Sequence, residues 1–214
     1  MIGLNGGLLG SQRTTSTLTG PGVWTANEQV LLRRANTWPV TTDPYFSNVK
    51  LLLHMDGSNN STTFIDSSSN NLTVTANGDA KISTAQSKFG GASGVFDGTG
   101  DYLSASVSGG LGGGDFTLEF WYYKTANSGM LFNCRGSGSG SDGIDINHNL
   151  EVTTSGIYIM TATTMATNTW HHVAIVRSGS TITRYINGSS NGTSTLSTNF
   201  SNAAMTIGGA TIWN

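Results

Sequence analysis

From residue 47 onward, the chain alternates short apolar segments with polar turns. The clearest alternation spans residues 116–123, FTLEFWYY. Side chains of a strand point alternately to opposite faces. One face of this segment is apolar and carries Phe116, Leu118, Phe120 and Tyr122. The other face carries Thr117, Glu119, Trp121 and Tyr123. The pattern predicts a strand with its apolar face on a core.

Further short strands are predicted along the same region. The run 49–55, apolar except for Lys50 and His54, indicates a strand buried on both faces, and strands are also predicted at 72–75, 172–176, 181–186 and 205–208. Glycine-containing turns separate them, at 178–180, Asn187–Gly188 and Asn191–Gly192. Many short strands with turns at this spacing are typical of an antiparallel sandwich. We therefore predict an all-β antiparallel sandwich.

Residues 1–46 differ from the rest and predict an N-terminal arm with one short helix. Thr25 and Glu28 have the spacing of a capping box, and Pro39 ends the helix. A helix this short needs a docking surface for its apolar side chains. Those anchoring candidates are Trp24, Val30, Leu31 and Trp38. They dock either on the chain's own sandwich domain, residues 47–214, or on a partner protein.

Composition narrows the classes of function. The chain has 214 residues, of which 10% are charged, and a net charge of −2. This length accommodates one sandwich domain with an extension. The absence of a basic surplus argues against a nucleic-acid partner, and no apolar run is long enough for a membrane span. The single cysteine, Cys134, cannot form an internal disulfide and is expected to be a small buried thiol. The N-terminus lacks the basic start and apolar core of a secretory signal.

Catalytic residues are not predicted. Glycoside hydrolysis requires two carboxylates that face each other across the scissile bond. The glutamates are Glu28, Glu119 and Glu151, and Glu119 has no acidic neighbour on its strand. Asp142 and Asp145 would point to opposite faces of an extended segment. We therefore expect a protein that is not an enzyme.

Two binding sites are candidates. Trp121 and Tyr123 share a strand face with Glu119, which suits an aromatic platform for a sugar; alternatively, Trp121 fills the second face of a buried strand. No cofactor is required, but calcium is a candidate ligand because loops supply the oxygen atoms it prefers. The candidate calcium ligands are Asp56, Asp66, Asn70, Asp97 and Asp101. Asp and Asn also stabilise turns without a metal.

Eight segments together resemble the laminin-G-like, concanavalin A-like jelly roll. They are residues 52–57, 66–70, 88–92, 96–102, 116–121, 170–174, 185–188 and 207–208. The resemblance implies two packed antiparallel sheets, carbohydrate binding as the usual function, and frequent use of calcium. Members of this family usually end with a further strand. Here residues 210–213 would form a shortened closing strand, or a neighbouring subunit would cover the edge beside 51–55, which predicts a homo-oligomer.

The N-terminal segments 22–29 and 34–39 resemble the openings of virion proteins of marine bacteriophages. This resemblance implies a virion structural protein, assembled in the host cytoplasm and displayed on the capsid or tail. Its partners would be other virion proteins, bound through the arm. The alternative is a carbohydrate-binding adhesin that recognises host-surface glycans, with or without calcium. A glycoside hydrolase is the more remote alternative.

Overall fold

The computed structural model describes residue 43 and residues 45–126, 129–135 and 143–209. The predicted helix, the four anchoring side chains of the arm and the segment 210–213 lie outside these residues. Within them, a short 3-10 helix at Phe46–Asn48 precedes the strands. The strands in chain order are β1 (Thr75–Asn77), β2 (Lys81–Ser83), β3 (Ser93–Val95), β4 (Tyr102–Ser106), β5 (Phe116–Tyr123), β6 (Met130–Asn133), β7 (Ile144–Asn147), β8 (Val152–Thr154), β9 (Ile157–Met160), β10 (Trp170–Ser178), β11 (Thr181–Ile186), β12 (Ser189–Thr195) and β13 (Ala204–Ile207).

These strands form two principal antiparallel sheets, as predicted. The larger sheet has seven strands in the order β1-β4-β13-β6-β7-β8-β9, and the smaller has four in the order β12-β11-β10-β5. A separate hairpin joins β2 and β3. No helix in the described ranges is long and apolar enough to cross a membrane. The all-β jelly-roll prediction is confirmed.

The core lies where the apolar faces of the sheets meet. The predicted apolar face of β5 points inward, with Tyr122 only 9% exposed. Val173 and Ile175 of β10 and Ile182 of β11 continue this face, and all three are fully buried. A second, smaller cluster packs beside β1–β4, around Phe64, Ala80, Ile82, Ala92 and Leu103. Because β5 follows a strict two-residue alternation, its opposite face is left on the outside of the sandwich.

Two predicted turns are confirmed and a third is wrong. Residues 178–180 turn the chain between β10 and β11, where Gly179 has a φ of 59°. Asn187 and Gly188 have φ angles of 49° and 81°, which suit the two-residue turn between β11 and β12. Asn191–Gly192 instead lies inside β12, opposite a register shift between Thr183 and Tyr185. There, the carbonyl and side-chain oxygens of Asn191 accept hydrogen bonds from Arg184. Asn191 therefore accepts hydrogen bonds from a buried cation and does not form a turn.

The strand predicted at 49–55 is also wrong. Only an isolated bridge forms in this segment, between Leu53 and Asp66. The Leu52 N–H donates to Oδ1 of Asp66, and Met55 has a φ of 55°, which a strand does not allow. Leu53 and Met55 still pack against the second cluster. The run is at most half-buried, with Lys50 and His54 exposed, and a side chain takes a backbone hydrogen bond that a strand would use. The segment predicted at 72–75 is extended only from Thr75, where β1 begins.

Candidate functional site

The outward face of the smaller sheet carries a group of aromatic and charged side chains. We call Lys88, Phe89, Glu119, Trp121 and His172 the aromatic patch. The β5–β10 register places Trp121 directly opposite His172, with their ring centroids 5.1 Å apart. The Phe89 ring meets Trp121 edge-on at 5.8 Å. Since Trp121 is 39% exposed and Phe89 67% exposed, solvent reaches both rings.

Charged groups surround the exposed rings. Nζ of Lys88 lies 4.2 Å from the centroid of the Trp121 ring, within cation–π distance. Oε2 of Glu119 lies 4.0 Å from Nε2 of His172. The patch therefore combines an apolar surface with a hydrogen-bond donor and an acceptor of opposite charge.

Trp121, Tyr123 and Glu119 share the outward face, as the sequence predicted. Tyr123 lies further along the strand, half-buried, with its ring 5.5 Å from that of Trp170. The alternative, that Trp121 fills a second buried face, is wrong because the sandwich buries only the inward face of β5. Sequence reasoning missed His172. This residue lies two positions from Trp170 on the same face of β10, just as Trp121 and Tyr123 share one face of β5. A prediction that β5 pairs with β10 would have placed the Trp121 and His172 rings side by side.

Asp66, a candidate calcium ligand, is instead engaged by protein hydrogen-bond donors. It is 3% exposed and accepts hydrogen bonds from the backbone N–H groups of Leu52, Ser68 and Leu72 at 2.8–2.9 Å. The Ser68 hydroxyl donates to Oδ2 at 2.8 Å. Burial raises the pKa of Asp66, but these four hydrogen bonds outweigh it, so the pKa lies below its ordinary value of 3.8. The carboxylate holds a turn together.

The other candidate calcium ligands are dispersed. Asp101 accepts hydrogen bonds from the backbone N–H groups of Asp79 and Asp97, so it stabilises its own loop. Asn70 directs its amide N–H groups at the carbonyls of residues 49 and 50, and Asp56 lies exposed elsewhere. Among the described residues, no group of three or more His, Cys, Asp or Glu side chains is arranged to hold a metal. Calcium binding stays a prediction.

Three further groups with nucleophilic, basic or acidic character lie apart from the aromatic patch. Cys134 is 1% exposed, and burial raises the pKa of its thiol to about 12. The expected buried thiol is confirmed. His171 points to the opposite face from His172, and its Nε2 lies 2.9 Å from the carbonyl oxygen of Ala166. Glu151 lies on the larger-sheet side of the fold, where Oε2 accepts a hydrogen bond from Asn147.

Two packed antiparallel sheets with an aromatic outer face define a jelly-roll domain of the kind shared by lectins and glucanases. The Laminin_G_3 family, described as the concanavalin A-like lectin/glucanases superfamily, matches residues 97–214, more than half of the chain. The chain belongs to this family. No curated protein matches.

Solved structures with similar folds are distant relatives. Domain 4 of AbnA, a GH43 extracellular arabinanase from Geobacillus stearothermophilus solved with arabinotriose, is 18% identical over 67% of this chain and 77% of its own, with a TM-score of 0.47. A Bacillus licheniformis β-glucanase is 14% identical over 77% of this chain and 82% of its own, with a TM-score of 0.36. An alginate lyase of polysaccharide lyase family 7 is 21% identical over 51% of this chain, with a TM-score of 0.37, and the match spans 56% of the lyase. These similarities assign neither a substrate nor an activity to this chain.

Proposed function

We propose that this protein binds glycans through the aromatic patch and does not convert them chemically. The observation that carries the proposal is the solvent-exposed Trp121 ring, held on a regular strand between Phe89 and His172. Neighbouring exposed apolar side chains, such as Trp121 and Phe89, mark interaction sites more often than singly exposed ones do. Domain membership in a lectin and glucanase superfamily supports the same proposal.

The chemistry of the patch matches that of a sugar ring. A pyranose presents C–H groups on one face, which pack on an indole ring, and hydroxyl groups around its edge. Glu119 can accept hydrogen bonds from these hydroxyls, and Lys88 can donate to them. Lys88 lies over the Trp121 ring in the unliganded protein. Its flexible stem allows a stacked sugar to displace the ammonium to the edge of the ring.

The replacement Trp121→Ala tests the proposal. Glycans that bind the wild-type protein on an array are measured again by calorimetry, and we expect a loss of about thirtyfold, typical of an aromatic contact worth about 2 kcal/mol. Tyr158→Ala is the matched control, because Tyr158 is also exposed, at 65%, but lies on β9 of the larger sheet. The melting temperature of Trp121→Ala should stay close to wild type, since the core does not contain this ring. Equal glycan affinity in wild-type and Trp121→Ala protein would refute the proposal.

Binding without conversion is tested on the same glycans. Glu119 faces an imidazole across 4.0 Å rather than a second carboxylate, whereas a retaining hydrolase needs two carboxylates about 5–5.5 Å apart. We expect no new reducing ends after prolonged incubation. Cleavage that disappears in Glu119→Gln would establish a hydrolase instead.

We also propose that the glycan-binding domain is displayed on a bacteriophage particle, with residues 1–46 as its anchor on other virion proteins. The resemblance of segments 22–29 and 34–39 to phage virion proteins supports this context. Mass spectrometry of purified particles tests it, together with a deletion of residues 1–46. We expect the deletion to abolish incorporation and leave a folded domain. Incorporation of the deleted protein at wild-type levels would contradict the anchoring role.

A further inference from the structure

A second polar site lies away from the aromatic patch, on the inward side of the smaller sheet, and it begins with a buried arginine. Arg184 pairs with Ile175 across β11 and β10 and is only 4% exposed. Its guanidinium donates to the carbonyls of Leu150 and Thr161 and to the oxygens of Asn191. All these acceptors are uncharged. Burial lowers the pKa of Arg184, which reflects the same lack of a counter-charge.

A buried lysine lies nearby in the fold. Lys124 follows the last residue of β5 and is 4% exposed. Its ammonium donates to Oδ1 of Asn149 at 2.9 Å, which is the one acceptor it has among the described residues. An ammonium carries three N–H donors, so two remain for another acceptor. In the described ranges, neither Lys124 nor Arg184 has a carboxylate within 4.0 Å.

Both cations line open depressions that share a wall. We call these depressions together the basic groove. One part, of about 510 Å³, is bounded by β9, β12 and Arg184; the other, of about 280 Å³, is bounded by Lys124 and Asn149. Ala162 and Thr163 line both parts. A Cβ added at Gly192 would lie 3.7 Å from Nη2 of Arg184, so the absence of a side chain there leaves the guanidinium reachable from the groove.

Buried cations need compensation. An ion moved out of water loses hydration, and uncharged acceptors replace it only in part. A comparison with Arg177 is informative: it is equally buried, but it donates to three backbone carbonyls, packs against the Phe200 ring and lines neither depression. Arg177 is a structural residue. The two cations of the basic groove differ because each of them lines an open depression, and the ammonium of Lys124 also has two N–H donors available.

We propose that the basic groove binds an oxyanion, the carboxylate or sulfate group of an acidic saccharide. The anion supplies the acceptors that Lys124 lacks and the negative charge that both cations lack. The volume of the larger part lies within the range of small-molecule sites, roughly 300–1,000 Å³, and exceeds what an inorganic ion fills. Threonine and asparagine side chains on its walls suit the hydroxyl groups of a sugar. This site is independent of the aromatic patch.

Calorimetry on the full chain tests the proposal with four probes: trigalacturonate, its fully methyl-esterified form, a sulfated disaccharide and inorganic sulfate. The ester removes the charge and keeps the sugar. We expect an acidic saccharide to bind at least about tenfold more tightly than the ester, the effect of one charge-assisted hydrogen bond. Lys124→Met should lose about the same factor. The control Lys50→Met, at an exposed lysine with the same charge change, should bind as wild type.

Each result decides between the alternatives. Binding of inorganic sulfate that depends on Lys124, without binding of either acidic saccharide, supports the oxyanion site and assigns its ligand to a free anion. No binding of any charged probe, or binding unchanged by Lys124→Met, overturns the proposal. We expect Lys124→Met to fold, because it removes a buried charge that has no carboxylate within 4.0 Å among the described residues. Should it not fold, the wild-type comparison of acid and ester still decides, since equal affinities overturn the proposal.

Discussion

The buried carboxylate of Asp66 is expected to be a main source of stability in the first part of the domain. It accepts four hydrogen bonds and fixes Leu52, Ser68 and Leu72 around one turn. Asp66→Asn keeps the shape but removes the charge, and it turns an N–H group toward the Leu72 N–H. Hydrogen bonds to a charged group contribute about 1 kcal/mol more than neutral ones, and an unsatisfied buried N–H costs about 1–3 kcal/mol. The loss should be about 3 kcal/mol, a large share of a domain stability of about 5–15 kcal/mol.

Urea unfolding at neutral pH measures this loss, and its pH dependence identifies the cause. Because the pKa of Asp66 is lowered in the folded protein, its contribution is fully present above the ordinary pKa of 3.8 and is lost as the pH falls through the lower, folded value. Asp66→Asn should therefore be destabilised at neutral pH and lose less stability than wild type in acid. Asp79→Asn, the same change at an exposed aspartate, serves as the control. Equal stability of Asp66→Asn and wild type at neutral pH would refute the reasoning.

Three further predictions concern other parts of the described structure. Gly78→Ala should destabilise the domain by at least about 1–3 kcal/mol, because φ is +63° and the new Cβ would lie 2.7 Å from the backbone carbonyl oxygen of Gly100. Gly91→Ala is the control in the same urea assay. It should cost less, because Gly91 also has a positive φ but has open space around it. The Cys134 thiol should resist iodoacetamide in the native protein, and rapid stoichiometric labelling would contradict this burial. Because the pKa of this thiol is raised from 9.0 to about 12 in the folded protein, its contribution to stability is lost as the pH rises above about 9. If calcium binds the turn carboxylates, millimolar calcium should raise the melting temperature relative to a chelator, and no shift would count against the prediction.

The sequence predicted strands best where one face is buried and the other is in solvent. Residues 116–123, 172–176 and 181–186 all fall within observed strands. At 49–55, apolarity on both faces did not show where the backbone hydrogen bonds go, and Asp66 takes one of them. Asn191–Gly192 was misread for a related reason: the same dipeptide that turns a hairpin also fits a bulge beside a buried arginine.

Two of the five residues of the aromatic patch could be predicted from one strand. Trp121 and Glu119 share a face by periodicity alone, and His172 needed the pairing of β5 with β10. Lys88 and Phe89 come from a distant loop, and no local pattern reports a contact between residues so far apart in the chain. The basic groove had no sequence signal either, because burial of Lys124 depends on the whole sandwich.

The position of β13 has a consequence for the order in which the protein can fold during synthesis. This strand, Ala204–Ile207, lies in the larger sheet between β4 and β6 and hydrogen-bonds to both. Until it leaves the ribosome, the paired strands β1 and β4 lack the strand that joins them to β6, β7, β8 and β9, although the strands of the smaller sheet all precede β13 in the chain. A nascent chain would thus expose two apolar sheet fragments until translation passes residue 207. Such intermediates are prone to aggregate, so the rate at which β13 is synthesised should influence the yield of folded protein in cells.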